Sequence, residues 1–200
     1  MSSEVDAWVG QCPLPCGLSI DTLGREEDDV FGRRHYQYYT NLSHRTCERC
    51  LAWHGTIRRR PEAFPDHQDG CERSILPIPS RELRKYRKKS RRMKEAAQAE
   101  LVRRKIFAEA SNLLSENASV AIDRFQQAAA IDIFVPDLEG LAETHCDLLR
   151  GNPPLREALR ATFVKAYSDK FGWRRYERLP EMMRLEREAA GIGRINELFG

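Results

Sequence analysis

Residues 45–79 restrict the possible folds of this chain more than any other stretch. Proline and glycine interrupt the segment too often for a long helix, because proline lacks the N–H group that a helix interior needs and glycine favours turns. The interrupting residues are Gly55, Pro61, Pro65, Gly70, Pro77 and Pro79. We therefore expect short local structure here, with one or two short strands near Trp53 and in the run Ser74–Ile78.

The same segment carries a set of residues typical of a bound metal ion. Cys47 and Cys50 form a C-x-x-C turn, which places two thiol groups on one side of a tight loop, and His67 and Cys71 follow on a second loop. Three cysteines and a histidine can complete the tetrahedron that zinc prefers. The sequence thus predicts a zinc site with the ligands Cys47, Cys50, His67 and Cys71. Four protein ligands leave no position for water, so we expect the ion to stabilise a small module rather than to catalyse a reaction.

Three alternatives to this ligand set remain open at the level of sequence. His54 could take the place of the predicted histidine ligand, and Cys12 and Cys16 could join the C-x-x-C pair in a ribbon-like site. In the third alternative, the C-x-x-C pair is a reduced dithiol and His67 is a surface histidine. A disulfide framework is disfavoured, because the N-terminus lacks the basic and apolar regions of a secretory signal.

A mainly helical fold is expected outside the zinc module. Ser80 is a suitable N-cap for a long helix, since its hydroxyl can accept a hydrogen bond from the first helical turn. We expect the chain to divide into an N-terminal arm with a short helix at 1–44, a zinc-knuckle module at 45–79, a long helix with a basic first half at 80–117, and a helical domain at 118–200.

Apolar residues at spacings of three and four predict the helices of the C-terminal domain. These helices are expected around 121–129, ended by Pro136, then at 138–149 with a stop at Gly151, from Pro153 onwards, and at 178–190. A short helix at about 30–44 is also predicted, from the aromatic residues Phe31, Tyr36 and Tyr39.

The C-terminal domain also contains a faint internal period. Leu113 and Leu148 lie 35 residues apart, and Ala121 and Ala158 lie 37 residues apart. Helix pairs at this period resemble tetratricopeptide-type hairpins over residues 101–168, which implies a surface that binds proteins. An ordinary antiparallel helical bundle is the alternative.

Basic charge is concentrated in one block of the sequence. Residues 80–105 carry twelve basic and three acidic side chains, a net charge of +9, whereas the whole chain has a net charge of +3. Between 81 and 94 the charge is expected on all sides of a helix, where like charges repel one another. A phosphate-bearing partner neutralises such charges and releases counterions.

We therefore expect residues 81–94 to contact nucleic acid or another anionic surface without reading base sequence. The residues expected to make these contacts are Arg84, Lys85, Arg87, Lys88, Lys89, Arg91, Arg92 and Lys94. The alternatives are a solvated basic face and a pairing with the acidic cluster at 26–29.

The predicted zinc module resembles part of a known protein family. The run from Thr46 to Gly55, the pair His67 and Cys71, and the run Leu76–Pro79 are similar to the C-terminal motif of phage head morphogenesis, or minor capsid, proteins. In that motif a C-x-x-C and a turn with small residues precede an "HPNCRC"-like segment and an apolar strand that ends near a proline. The resemblance implies a structural zinc knuckle with the ligands predicted above.

The resemblance covers residues 45–79 and implies a virion component that acts near the portal during head assembly and DNA packaging. Two departures affect the "HPNCRC"-like segment. The spacing from His67 to Cys71 is one residue longer than in the motif, and Arg73 occupies the position of its second cysteine.

A second resemblance points to a different class of protein. The C-x-x-C pair followed by Asp66 and His67 is similar to the start of an HNH-type nuclease, in which a histidine activates water beside a metal ion. Such nucleases need an asparagine and a last histidine downstream, and the later histidine His145 falls in a predicted helix. The sequence has no Gly-rich phosphate loop, G-x-S-x-G or H-E-x-x-H motif, so we expect a non-enzyme, with a nuclease using His67 as the alternative.

The sequence therefore predicts a zinc-binding structural component of a virion-type or nucleoprotein assembly. We expect contacts with nucleic acid or another anionic surface and with other protein subunits, and no small-molecule substrate. No stretch approaches the roughly 20 apolar residues of a membrane span, so a cytoplasmic or virion location is expected, without a membrane partner. A zinc-containing helical adaptor that binds only proteins is the remaining alternative.

Overall fold

The computed structural model describes residues 35–64, 71, 73–171 and 180–200. The expected mainly helical class is confirmed, since these residues contain seven α-helices and one three-stranded sheet. The chain divides into two compact units, Met1–Gln98 and Ala99–Gly200. The predictions for the N-terminal arm, for Cys12 and Cys16, for the acidic cluster at 26–29 and for His67 lie outside the described residues.

The sheet of the first unit is built around a strand that the sequence predicted to be helical. Residues His35–Thr40 form β1, which pairs antiparallel with β2 (Ile57–Arg58) on one side and β3 (Arg73–Ile78) on the other. The short helix expected at about 30–44 is therefore wrong for residues 35–40. Aromatic residues favour strands, and two flanking partners satisfy the backbone groups of β1 better than an isolated helix of this length could.

A short helix and a tight turn connect the first two strands. Helix α1 (Glu48–Trp53) includes Trp53, so the short strand expected at Trp53 is wrong. Gly55 follows with a φ of +79°, a conformation that favours glycine. Its N–H donates to the carbonyl of Tyr38 at 2.8 Å, and the Tyr38 N–H donates to the carbonyl of Thr56 at 2.9 Å. The turn thereby joins the end of α1 to the central strand. The strand predicted at Ser74–Ile78 is confirmed by β3.

The long helix is present, although it begins later than expected. Ser80 opens a 3₁₀ turn, Ser80–Glu82, rather than capping the helix itself, and α2 runs over Leu83–Leu113. Its first half packs closely on the turn after α1, where the Ser90 hydroxyl donates to the Gly55 carbonyl. The division between the two units falls within α2, between residues 98 and 99.

The second unit is entirely helical in the residues that the structure describes. After the end of α2 it contains α3 (Ala118–Ile131), α4 (Val135–Thr144), α5 (Cys146–Gly151), α6 (Pro153–Phe171) and α7 (Glu181–Phe199). The helix expected at 138–149 is interrupted at His145, which separates α4 from α5. Pro136 lies in the first turn of α4, where its missing N–H group costs little.

Aromatic side chains connect these helices through one core of thirteen buried residues. The rings of Phe107, Phe125, Phe163 and Phe199 follow one another with centroid distances of 5.0, 5.5 and 5.4 Å. Helix α3 packs against α6, and α7 packs against both α4 and α6. The tetratricopeptide-like period stays a prediction.

A buried group of charges, here called the charged cluster, joins α2 to the start of α4. The guanidinium of Arg103, which is 1% exposed, donates to both carboxylate oxygens of Glu100 at 2.7 and 2.8 Å. It also pairs with Asp137 at 2.8 Å and lies 4.8 Å from the centroid of Phe134. Arg104 donates to Glu100 as well, at 2.8 Å, so each buried charge has an opposite charge beside it.

Among the helices that the structure describes, none has the length and apolar character required to cross a membrane.

Candidate metal centre

Three of the four predicted ligands lie together in the first unit. The sulfur atoms of Cys47, Cys50 and Cys71 are all within 4.8 Å of one another. Thiolates that share one metal ion stand slightly closer together than this, since a zinc–sulfur bond, for example, is about 2.3 Å long. The three cysteines are therefore a group that could hold a metal ion.

The local backbone explains why these sulfur atoms converge. Cys47 is the N-cap of α1, and its sulfur accepts a hydrogen bond from the Cys50 N–H at 3.4 Å. Cys71 precedes β3, and its sulfur accepts from the Cys47 N–H at 3.3 Å. Backbone N–H groups directed at sulfur favour the thiolate form that binds metal ions.

Tyr38 is a member of the site that the sequence did not reveal. It lies on the central strand, is fully buried, and donates a hydrogen bond from its hydroxyl to the Cys50 sulfur at 3.1 Å. Side chains that bond to metal ligands orient those ligands and tune the metal. The contact joins residues from two elements, so only the pairing of β1 with its neighbours brings it about.

The pKa values of the thiols differ according to their surroundings. Burial raises the pKa of Cys50 to about 11, although the hydrogen bond from Tyr38 acts in the opposite direction. Burial also acts against ionisation of Cys47, but hydrogen bonds from Cys50 and Cys71 outweigh it and lower the pKa of the Cys47 thiol. A bound cation would favour the thiolate forms of Cys47 and Cys50, because its positive charge replaces the stabilisation by water that burial removes.

The sulfur atoms also belong to the small apolar core of this unit. The core has three buried members, Tyr38, Cys50 and Phe64, with Cys47, Cys71 and neighbouring aromatic side chains packed around them. The rings of Tyr38 and Phe64 are 5.5 Å apart between centroids. A core this small contributes little stability by itself, which is the situation in which structural metal ions are used.

His54, the alternative histidine ligand, has another role. It is 4% exposed, and its Nδ1 accepts a hydrogen bond from the Thr40 N–H at 3.1 Å. Burial, together with the positive charge of Lys89, lowers the pKa of His54 to about 4, so the ring is neutral. With Nδ1 occupied, the proton lies on Nε2 and no lone pair is left for a metal ion. His54 is accordingly not a member of the three-cysteine group.

His145 and Cys146 lie in the second unit, whereas the three cysteines lie in the first. The His145 Nε2 atom is 2.9 Å from the Ser111 hydroxyl, and Cys146 is exposed. Neither is part of the three-cysteine group found among the described residues.

The predicted nucleic-acid-binding residues lie on the first half of α2. All eight, Arg84, Lys85, Arg87, Lys88, Lys89, Arg91, Arg92 and Lys94, are exposed, and they are here called the basic face. The expectation of charge on all sides of the helix is wrong for one side. There a stripe of residues is buried or half-buried, namely Leu83, Tyr86, Ser90, Met93 and Ala97. The Cβ atom of Met93 and the backbone of Ser90 lie close to Gly55, so the turn after α1 covers the middle of the stripe.

The cations of the basic face are available to a partner. Lys85, Lys88, Lys89 and Arg92 line an open cleft on the helix surface. Within the described part of the chain, the basic face forms one ion pair. It joins the Arg91 Nε atom to the Glu95 Oε1 atom at 3.2 Å, and both side chains are exposed to solvent. An exposed pair of this kind contributes little, so most of the positive charge stays uncompensated.

Comparisons of the chain with protein families, with curated proteins and with solved structures gave no match.

Proposed function

We propose that the chain is a zinc-binding structural component, without enzymatic activity, of a nucleoprotein or virion-type assembly. The observation that carries the proposal is the convergence of the sulfur atoms of Cys47, Cys50 and Cys71 to within 4.8 Å of one another. They come from a helix cap, a helix and the segment before β3, and each of the three contributes to the small core of the first unit.

Zinc is the metal that this donor set favours. Thiolates prefer zinc among the common divalent ions, and a histidine nitrogen is the usual fourth partner. His67 precedes Cys71 by four residues, a short separation that is common between two ligands of one zinc ion. A closed site with three cysteines and His67 holds its ion without an open position, and the ion then supplies folding stability.

The basic face supports an anionic partner in the same assembly. Eight exposed cations lie on three turns of α2, and their mutual repulsion is relieved when phosphate groups neutralise them. The resemblance of residues 45–79 to phage head morphogenesis proteins is consistent with a virion role for such a combination. In this proposal the helical second unit contacts other protein subunits.

The zinc proposal is tested by metal content and by cobalt substitution. We expect one zinc ion per chain after purification without chelators, and loss of that ion in Cys47→Ser, Cys71→Ser and His67→Ala. Cys146→Ser is the matched control, because Cys146 is exposed and lies outside the three-cysteine group. The cobalt form should show the absorption of tetrahedral thiolate coordination.

Native protein without bound metal would contradict the zinc site, and with it the resemblance to the phage family. Retention of the metal in His67→Ala would assign the fourth position to another group. Cleavage of nucleic acid that depends on a divalent metal and is lost in His67→Ala would instead identify a nuclease.

A further inference from the structure

We propose that the basic face binds double-stranded DNA in its major groove, by contacting the phosphates of both strands and without reading the bases. This inference rests on the proposed contact with nucleic acid and names the kind of nucleic acid. Three features of α2 carry it: the arc over which its cations are spread, the composition of the exposed surface, and the cover over its apolar stripe.

The cations of the basic face extend over more of the helix than one row of phosphates can contact. At 100° per residue they span an arc of about 220° around the helix axis. One flank carries Arg84, Arg87, Arg91 and Lys94, the other carries Lys85, Lys89 and Arg92, and Lys88 lies between them. In a groove with a phosphate backbone on each side, the cations of both flanks can contact phosphates at the same time. A single strand has one row of phosphates and can contact one flank.

The dimensions of the helix favour B-form DNA among the double-stranded nucleic acids. A helix with its side chains is roughly 10–12 Å across, and the major groove of B-DNA is about 12 Å wide. The major groove of an RNA duplex is too deep and narrow for a helix to enter. The side chain at the centre of the arc is Lys88, which carries charge but lacks the fixed fork of donors that recognises a particular base.

On the first half of α2, which the structure describes in full, the exposed side lacks the groups that bind single strands. Proteins that hold single-stranded nucleic acid without sequence preference stack the bases on aromatic side chains. The aromatic residue of this part of α2 is Tyr86, and it lies in the half-buried stripe rather than among the cations.

The apolar stripe argues against a membrane surface as the anionic partner. Helices that lie on membranes insert an apolar face between the lipids. Here Met93 is 8% exposed and Ala97 is 2% exposed, and Gly55 lies against Met93. The side of the helix that could insert is therefore already covered by the protein.

The inference is tested by measuring how the 200-residue chain binds four fluorescent or sedimentable probes. The first is a DNA duplex of about 20 base pairs, which is several times longer than the basic face. The others are one single strand of that duplex, the RNA duplex of the same sequence, and vesicles that contain phosphatidylserine. For about five phosphate contacts, the affinity for duplex DNA should fall by about 500-fold between 50 and 200 mM salt. The single strand and the RNA duplex should bind at least about tenfold more weakly than the DNA duplex.

Two triple variants test whether both flanks are used. Arg84→Gln/Arg87→Gln/Arg91→Gln removes three charges from one flank, and Lys85→Gln/Lys89→Gln/Arg92→Gln removes three from the other. Glutamine keeps the helix propensity of the replaced residues. Each variant should reduce the slope of log affinity against log salt concentration by about 0.9 for every phosphate that it no longer neutralises.

A matched control removes the same charge elsewhere. The exposed residues Lys105, Arg124 and Arg150 lie outside the basic face, and their replacement by glutamine should leave the salt dependence unchanged. A loss of binding confined to one flank, or equal affinity for duplex and single strand, would overturn groove binding while leaving the nucleic-acid contact in place. Stronger binding to vesicles than to DNA would also overturn it. Absence of binding to every nucleic acid would overturn both this inference and the proposed nucleic-acid contact.

Discussion

Removal of Arg103 from the charged cluster should be among the most destabilising changes of a polar residue in the second unit. Its guanidinium makes two of the three hydrogen bonds that the buried carboxylate of Glu100 receives. Breaking a buried ion pair by removing one partner costs about 3–5 kcal/mol, because the other charge stays buried without compensation. Since Arg104 keeps its bond to Glu100, we expect a loss of about 3 kcal/mol for Arg103→Met, near the lower end of that range.

A double-mutant cycle separates the ion pair from the loss of packing. Glu100→Gln leaves Arg103 with Asp137 as its remaining carboxylate, and it should also destabilise the protein. In the double variant neither charge is left uncompensated, so the cost should be smaller than the sum of the single changes by about 1–3 kcal/mol. Free energies of unfolding are measured from urea denaturation followed by far-ultraviolet circular dichroism.

The surface of α6 provides a matched control for this cycle. Arg160 forms the same two-bond contact with Glu157, three residues earlier, but the carboxylate is exposed. Replacement of Arg160 by methionine should therefore have little effect on stability. If Arg103→Met costs no more than this control, or if the double variant equals the sum of the single changes, the argument from burial is refuted.

Three further predictions concern the first unit. The stability of this unit should fall by up to about 3 kcal/mol as the pH is lowered from 6.5 towards 4. Burial lowers the pKa of His54 to about 4, so the unfolded state takes up the proton first. The contribution of His54 to stability is complete above pH 6.5, and His54→Gln should lack this pH dependence. Gly55→Ala should destabilise the unit by more than the roughly 1–2 kcal/mol of a left-handed conformation, since the new Cβ would lie 2.9 Å from the Ser90 carbonyl oxygen. Tyr38→Phe should lower zinc affinity by about 10–100-fold and shift the thiolate absorption of the cobalt form, because the variant has no hydroxyl to donate to Cys50.

Each of these predictions has a control within the chain. The pH dependence is taken as the difference between the native protein and His54→Gln, so that protonation of other groups cancels, and an unchanged slope would contradict it. Gly140→Ala is the control for the glycine change, because a Cβ at Gly140 meets nothing within 4 Å. Tyr36→Phe is the control for the tyrosine change, and equal metal affinity in both tyrosine variants would show that the hydroxyl of Tyr38 does not act on the site.

The parts of the structure that the sequence predicts well are those set by local spacing. The C-x-x-C turn brings Cys47 and Cys50 together within one turn of helix, and charged and apolar positions mark α2 along most of its length. The strand at 73–78 follows from the aliphatic run Ile75, Leu76 and Ile78, which Pro79 ends.

The parts that the sequence did not predict depend on contacts between distant residues. Tyr36 and Tyr39 are three residues apart, a spacing that fits one face of a helix, and only pairing with residues 57–58 and 73–78 makes their segment a strand. The bond from Tyr38 to Cys50 follows from that pairing. Glu100 and Arg103 are recognisable in the sequence as a helical ion pair, but their burial depends on Phe134 and Asp137 more than thirty residues later.

The order of the strands has a consequence for how the first unit meets its partners. The two outer strands of the described sheet offer poor edges for another strand: β2 has two residues, and β3 contains Pro77, which lacks an N–H group. Proline in an outer strand is a common means of preventing sheets from joining edge to edge. We therefore expect this sheet to resist extension by a strand from another molecule. Strand-to-strand aggregation of this unit would then be suppressed even at high protein concentration.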